Sequence, residues 1–259
     1  MRIVRFADTD GPRYGALDDD STRIVVLKGD PLFNPVEPDG RIVELDEVRL
    51  LSPVIPRSKV VGIGKNYADH AREMGGEPPV EPVIFLKPNT SVIGPDDPIT
   101  RPNWSDEVHY EGELAVVIKS LAKDVPVEKV DEVILGYMCA NDVTARDKQR
   151  EDGQWTRAKG FDTSCPLGPW ITVDPNLDVQ NLAITTTVDG QIRQQDTTAN
   201  MLMPVKELVS YVSRVFTLLP GDVIITGTPA GIGPIEAGQR VEVTIEGIGT
   251  LSNPVVDAN

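Results

Sequence analysis

Cysteine is scarce: Cys139 and Cys165 are the only two in 259 residues. Two cysteines do not make a disulfide framework, and with no CxxC pair and no His/Cys cluster the chain offers no zinc site. Basic charge is also short. Twenty-five Lys and Arg face 40 Asp and Glu, a formal net charge of -15. That field repels phosphate backbones and anionic bilayers, so neither nucleic acid nor a membrane is an expected partner. An anionic substrate would be repelled at long range too, and would need a local cation or basic cluster to receive it. No apolar run approaches membrane-spanning length, and the start, MRIVRFADTDG, lacks the apolar core of a signal peptide. The expectation is a soluble cytoplasmic protein. Internal repeats and low-complexity tracts are absent.

What is present reads as a strand-rich globular chain. Hydrophobic residues make up 40% and charged residues 25%, ordinary proportions, and the length suffices for a sizeable core. Residues 1–56 read as a small segment of short strands with acidic turns (RIVRFA, YGALDDD, TRIVVLKGD). The connector LLSPVIPRSK carries two prolines. From Val60 the texture changes: VVGIG and PVIFLKP read as strands, Ile134 to Ala140 as a buried strand, and GQRVEVTIEGIGTLSNPV as a closing hairpin. MPVKELVSYVSRVF is the clearest helix, with Leu208, Val209, Val212, Val215 and Phe216 on one apolar stripe and Pro204 suited to its first turn. Strands do not alternate regularly with helices. That argues against a doubly wound sheet or an α/β barrel and for an α+β, β-rich roll.

One strand contains an apparent contradiction. In HYEGELAVVI, His109 to Ile118, alternation puts Glu111 and Glu113 on one face with Ala115 and Val117, and Leu114, Val116 and Ile118 on the other. Two carboxylates on a buried face repel unless a basic partner, a shared proton or a cation relieves them; the alternative is that this face is exposed. A third carboxylate, Asp142, follows the strand ending near Ala140. By itself it could be an ordinary cap. With Glu111 and Glu113 it completes an all-oxygen set that suits a hard cation, magnesium or manganese.

Other stretches carry potential chemistry. In YADHAREMG, helical spacing would put His70 and Glu73 on one face, where a His beside a carboxylate can act as a general base; a solvated surface helix would look the same. TARDKQREDGQWTRAKGFD is basic within an acidic chain, and Arg146, Gln149 and Lys159 could grip a substrate carboxylate or simply pair with neighbouring charges. TGTPAGIG, Thr226 to Gly233, follows a strand but is neither a P-loop nor GxGxxG. Its glycines would let backbone and Thr228 approach a ligand, or would serve a tight turn.

Taken in order, GKNYADHAREMG, PVIFLKPNTSVIGPDDPI, HYEGELAVVI, GYMCANDVTARD, WTRAKGFDTSCPLGPW and FTLLPGDVIITGTPAGIGP resemble the fumarylacetoacetate hydrolase family. They cover about Val60 to Pro254 and leave the segment to residue 56 outside the strongest motifs. The likeness is to the acylpyruvate hydrolase and oxaloacetate decarboxylase branch, and to bacterial 2-hydroxyhepta-2,4-diene-1,7-dioate isomerases of aromatic catabolism. The resemblance implies a mixed β-sandwich roll over residues 57–259, usually in a homodimer. It implies one Mg2+ or Mn2+ ion on Glu111, Glu113 and Asp142, a mobile lid bearing His70 and Glu73, and a site lysine at Lys159. Arg146, Gln149 and Thr228 fall where the family contacts the acid end of its substrate. His109 inherits no ligand role.

The expected activity follows from the ion. A 2-oxo acid chelates it, a Lewis acid stabilises the developing enolate charge, and a C–C bond breaks. With a 2,4-dioxo acid, water activated by His70 and Glu73 attacks the distal carbonyl; with oxaloacetate, carbon dioxide leaves directly. Isomerisation of a dienedioate is the alternative. A metal-stabilised binding protein without turnover is a third, although an acid–base pair would be superfluous there.

Overall fold

The computed structural model describes residues 1–18, 20 and 22–258. Asp19, within the YGALDDD stretch, lies outside them. The fold is strand-rich and α+β, as the sequence pattern implies. A long mixed sheet runs in the order Pro38–Glu44, Arg23–Leu27, Gly11–Leu17, Arg2–Asp8, Cys165–Thr172, Ile134–Asn141, Gly112–Ile118, Val223–Ile225, Val60–Gly64 and Val83–Lys87. The first segment therefore extends the central sheet, with Arg2 and Ile3 paired to Thr172 and Ile171. It adds an apolar cluster of its own around Phe6, Ile24 and Val26.

A five-stranded sheet, Gln191–Thr197, Ala183–Val188, Arg240–Ile245, Gly249–Asp257 and Ile99–Arg101, covers one face of the central one. The closing hairpin is its Arg240–Ile245 and Gly249–Asp257 pair. Between the sheets, Leu114, Val116 and Ile118 pack with Ile184, Val243 and Ile245. Ala115 and Val117 point the other way, into a second cluster with Met138, Ala140 and Val223. The alternation read from the sequence therefore holds along this strand, which is fully buried.

The helix Val205–Val215 lays Leu208, Val209 and Val212 into the first cluster. Each such side chain contributes roughly 1.5–3 kcal/mol by leaving water. Val215, expected on the same stripe, is 52% exposed, because the helix ends there and Phe216 turns extended. No helix among the described residues is long and apolar enough to cross a membrane.

A second expectation needs correction. HYEGELAVVI is not one strand. Val108–Tyr110 belongs to a small three-stranded sheet with Thr144–Ala145 and Gly233–Pro234, whereas Gly112–Ile118 belongs to the central sheet. The chain changes sheets at Glu111. Glycine at 112 permits the change: a Cβ there would stand 2.1 Å from Thr186 Oγ1. The two carboxylates thus belong to a corner between sheets, where polar groups can converge without interrupting a ladder.

Candidate active site

Four pieces of chain meet at this corner. The central strand delivers Glu113, and the junction before it delivers Glu111. Asp142 follows the strand Ile134–Asn141 and is fixed by its own backbone: its N–H donates to Glu111 O at 2.8 Å. Asn141 returns the favour, its Oδ1 accepting from the Glu111 N–H at 2.9 Å. Asp142 therefore caps no helix. The helices Arg146–Glu151 and Thr156–Lys159 place Arg146 and Lys159 above the carboxylates.

One ligand oxygen from each of Glu111, Glu113 and Asp142 can be chosen so that all lie within 4.8 Å of one another, and all three residues are buried. Three cations answer them. Lys159 Nζ donates to Glu111 Oε2 at 2.8 Å, Asp142 Oδ2 at 2.6 Å and Thr144 Oγ1 at 2.7 Å. Arg146 Nη2 donates to Glu111 Oε1, and its Nη1 to Gln149 Oε1. Lys87 Nζ donates to Asp142 Oδ1 at 2.6 Å.

Lys87 is a site residue that the sequence reading missed. It stands in PVIFLKP, where the apolar run and following proline mark a strand end, yet it is 1% exposed. A lysine buried in an apolar strand needs a carboxylate, and that was the available signal.

Glu113 differs from its neighbours. Its Oε2 accepts the Gly227 N–H at 2.7 Å, and among the described residues no basic side chain reaches it. Gly227 has φ +97, and a Cβ there would stand 2.7 Å from Asn66 Cβ; only glycine brings this N–H to the carboxylate. Burial, then the charges of Asp142 and Glu111, push Glu113 well above the ordinary carboxylate range. Burial would push Glu111 the same way, but Lys159 and Arg146 outweigh it and hold Glu111 far below that range. For Lys159, burial favours the neutral form, and the charges of Asp142 and Glu111 override it to keep the ammonium.

The expected lid stretch forms the short helix Ala68–Glu73. His70 is buried, and its Nδ1 lies 3.2 Å from Glu73 Oε2. A carboxylate only accepts, so Nδ1 carries the proton and Nε2 is left as the basic nitrogen. Glu73 Oε1 accepts the Gly231 N–H at 3.0 Å, which ties the helix to the glycine-rich loop. Burial raises the Glu73 carboxyl, and the hydrogen bonds from His70 and Gly231 more than offset it.

Thr228, in the same loop, donates to Gly112 O at 2.9 Å and accepts from Gln194 Nε2 at 2.7 Å. Gln194 Oε1 in turn accepts the Gly112 N–H at 3.0 Å. Gln194, buried on the five-stranded sheet, thus clamps the glycine loop to the sheet-changing corner; nothing in the local sequence singled it out.

His70, Glu111, Glu113, Asp142, Arg146, Gln149, Lys159 and Thr228 all line one cavity of about 140 Å³. Glu73 stands behind His70 and lines an adjoining depression instead. His109 lines that depression too and pairs with Glu107 at 3.0 Å, away from the carboxylates. Phe85 and Trp155, edge to face at 5.6 Å, form an apolar wall.

The residues fit a hard divalent cation. The donors are all carboxylate oxygens, they converge, and burial with the charges of Asp142 and Glu111 disfavours the charged form of Glu113, a penalty that a cation would relieve.

Known proteins resemble this chain in sequence and fold. Residues 59–256 match the fumarylacetoacetate (FAA) hydrolase C-terminal family, and residues 1–53 match the Rv2993c-like N-terminal family. The 5-carboxymethyl-2-hydroxymuconate delta-isomerase structure from Mycobacterium smegmatis is 50% identical, with TM-score 0.92 and full coverage of both chains. The oxaloacetate tautomerase YcgM of Escherichia coli is 44% identical over 74% of this chain and 90% of its own. The structure of fumarylpyruvate hydrolase from Pseudomonas aeruginosa in complex with Mn2+ and pyruvate is 38% identical, with TM-score 0.74, covering 81% of this chain and 92% of that one. The relatives thus include a hydrolase, an isomerase and a tautomerase, and the chain belongs to the fumarylacetoacetate hydrolase family of enzymes.

Proposed function

We propose that the protein enolises a small anionic 2-oxo acid and cleaves its C3–C4 bond, by acylpyruvate-type hydrolysis or oxaloacetate decarboxylation. The observation that supports this most is the convergence of three carboxylates, Arg146, Lys159 and His70 on one cavity, with Glu73 behind His70 and Lys87 behind Asp142. A magnesium or manganese ion on Glu111, Glu113 and Asp142 would supply Lewis-acid polarisation of the keto group.

The side chains supply the rest. Arg146, braced by Glu111 and Gln149, presents a fixed fork to the acid end of the substrate, with Gln149 and Thr228 as further polar contacts. Lys159, kept charged by its two carboxylates, lies where negative charge develops on the substrate oxygen. His70, with Nδ1–H committed to Glu73, offers Nε2 to the cavity as a base. It takes a proton from water attacking a distal carbonyl, or from C3 of the substrate. Loss of carbon dioxide from oxaloacetate needs no such water. In this reading the protein works in the cytoplasm as a homodimer, and the 2-oxo acid is its only partner.

A second reading, isomerisation or tautomerisation without cleavage, draws support from the isomerase and tautomerase among the relatives. It requires the same base and the same cluster. The assay that separates them incubates the protein with acetylpyruvate, oxaloacetate and a dienedioate, with added magnesium or manganese and with chelator. NMR follows pyruvate release and keto–enol exchange. Metal-dependent pyruvate release supports cleavage. Exchange without release supports the second reading, and neither activity on any substrate would sink both.

A further inference from the structure

Among the described residues Lys65 is a cation without a partner. The chain carries a formal charge of -15, and among the described residues the other lysines on the cavity-forming strands and helices are paired: Lys87 with Asp142, Lys148 with Asp147 and Glu151, Lys159 with Glu111 and Asp142. Among the described residues Lys65 makes no side-chain hydrogen bond and no ion pair, yet it is partly buried and lines the active cavity beside His70 and Arg146. Its backbone has φ +59, a left-handed conformation that lysine adopts sparingly. Its Nζ lies 3.5 Å from where a Cβ on Gly76 would stand, over the turn that ends the His70 helix, without bonding the carbonyls there. Capping that helix is therefore not what holds it.

Charge matching assigns it a task. Arg146 and Lys159 are already balanced by Glu111 and Asp142, and Arg150, the remaining cation lining the cavity, is paired with Glu107. A second carboxylate brought into this cavity would meet three others and needs a positive charge of its own. Lys65 is the cavity-lining cation left to provide it. We propose that Lys65 binds the distal carboxylate of a dicarboxylic 2-oxo acid, and so selects dicarboxylates over monocarboxylates of the same length. The proposal rests on the reading of this cavity as a 2-oxo acid site.

Lys65→Met and Lys65→Arg test it, since both keep an unbranched side chain at the left-handed position and differ in charge. Calorimetry on the magnesium-loaded protein compares 2-oxoglutarate with 2-oxopentanoate, which have the same chain length and differ at the distal end. A charge-assisted hydrogen bond should favour the dicarboxylate by about tenfold or more in the wild type. Lys65→Met should erase that preference while leaving 2-oxopentanoate affinity within about twofold, and Lys65→Arg should restore most of it. Kinetics add a second readout: KM for oxaloacetate should rise in Lys65→Met, and KM for acetylpyruvate should not. A wild type without preference, a Lys65→Met variant that keeps it, or equal losses on both ligands would overturn the proposal. Absence of turnover on every 2-oxo acid would instead overturn the reading of the reaction, and the calorimetric comparison would still judge Lys65.

Discussion

Lys159 bridges Glu111 and Asp142: its Nζ lies 2.8 Å from Glu111 Oε2 and 2.6 Å from Asp142 Oδ2. The bridge divides the carboxylates into two that are neutralised by side chains and one, Glu113, that is not. That division sets the first two predictions.

Glu113→Gln removes a carboxylate that repels its neighbours and keeps an acceptor for the Gly227 N–H. The metal-free variant should melt no lower than the wild type. It should lose the stabilisation that manganese confers on the wild type, together with more than about a hundredfold of activity. Differential scanning with and without manganese reads both stabilities. A full manganese-induced shift in the variant would remove Glu113 from the ligand set.

Lys159→Met does the opposite. It leaves Glu111 and Asp142 buried without their shared cation, and breaking a buried pair in this way costs about 3–5 kcal/mol. Urea unfolding of the metal-free protein should show that loss, and saturating manganese should recover part of it. A loss below about 1 kcal/mol would mean that Arg146 and Lys87 suffice to balance the cluster.

Glu73→Gln should separate two activities. The amide oxygen can still accept from Gly231, but the carboxylate that accepts from His70 Nδ1 is gone. Removing general-base assistance typically costs on the order of a hundredfold to ten-thousandfold. Acetylpyruvate hydrolysis should fall accordingly, and oxaloacetate decarboxylation should keep a much larger share. Parallel loss of both, with manganese binding preserved, would show that the pair mainly positions its helix.

Asp147 makes stability depend on acid. Burial alone would raise its carboxyl, but hydrogen bonds from Ser105 and Lys148 more than compensate and bring it from 3.8 down to about 2. A carboxyl depressed on folding adds stability above its unfolded value and loses it as pH falls through the folded one. This contribution should therefore be complete above about pH 4 and fade towards pH 2. Since Asp147 ties the Arg146 helix to Ser105, Asp147→Asn should cost on the order of 1–2 kcal/mol at pH 7 and nearly nothing at pH 2. Urea titrations at several pH values would show the two curves converging on acidification; a constant gap would contradict the assignment.

Much of this molecule is legible in its residues. The strand faces of Gly112–Ile118 follow from a two-residue period, and the buried face of Val205–Val215 from the spacing of Leu208, Val209 and Val212. These are local properties, fixed by where each Cβ points along a regular element. The acidic trio was also legible, because two carboxylates beside an apolar run demand an explanation and Asp142 completes a hard-cation set.

What the tertiary structure decided is non-local. That position 112 has no room for a Cβ depends on Thr186, 74 residues along. That Lys87 belongs to the site depends on the strand Val83–Lys87, at the edge of the central sheet, ending where Asp142 emerges from another strand of it. Gln194 and the Gly227 N–H enter the same way, from elements distant in sequence. By itself the sequence determined which groups needed partners, because burial and charge are written in residue types. Only the packing of the sheets decided which partners they found, because a hydrogen bond acts over about 3 Å and that distance is set by the whole fold.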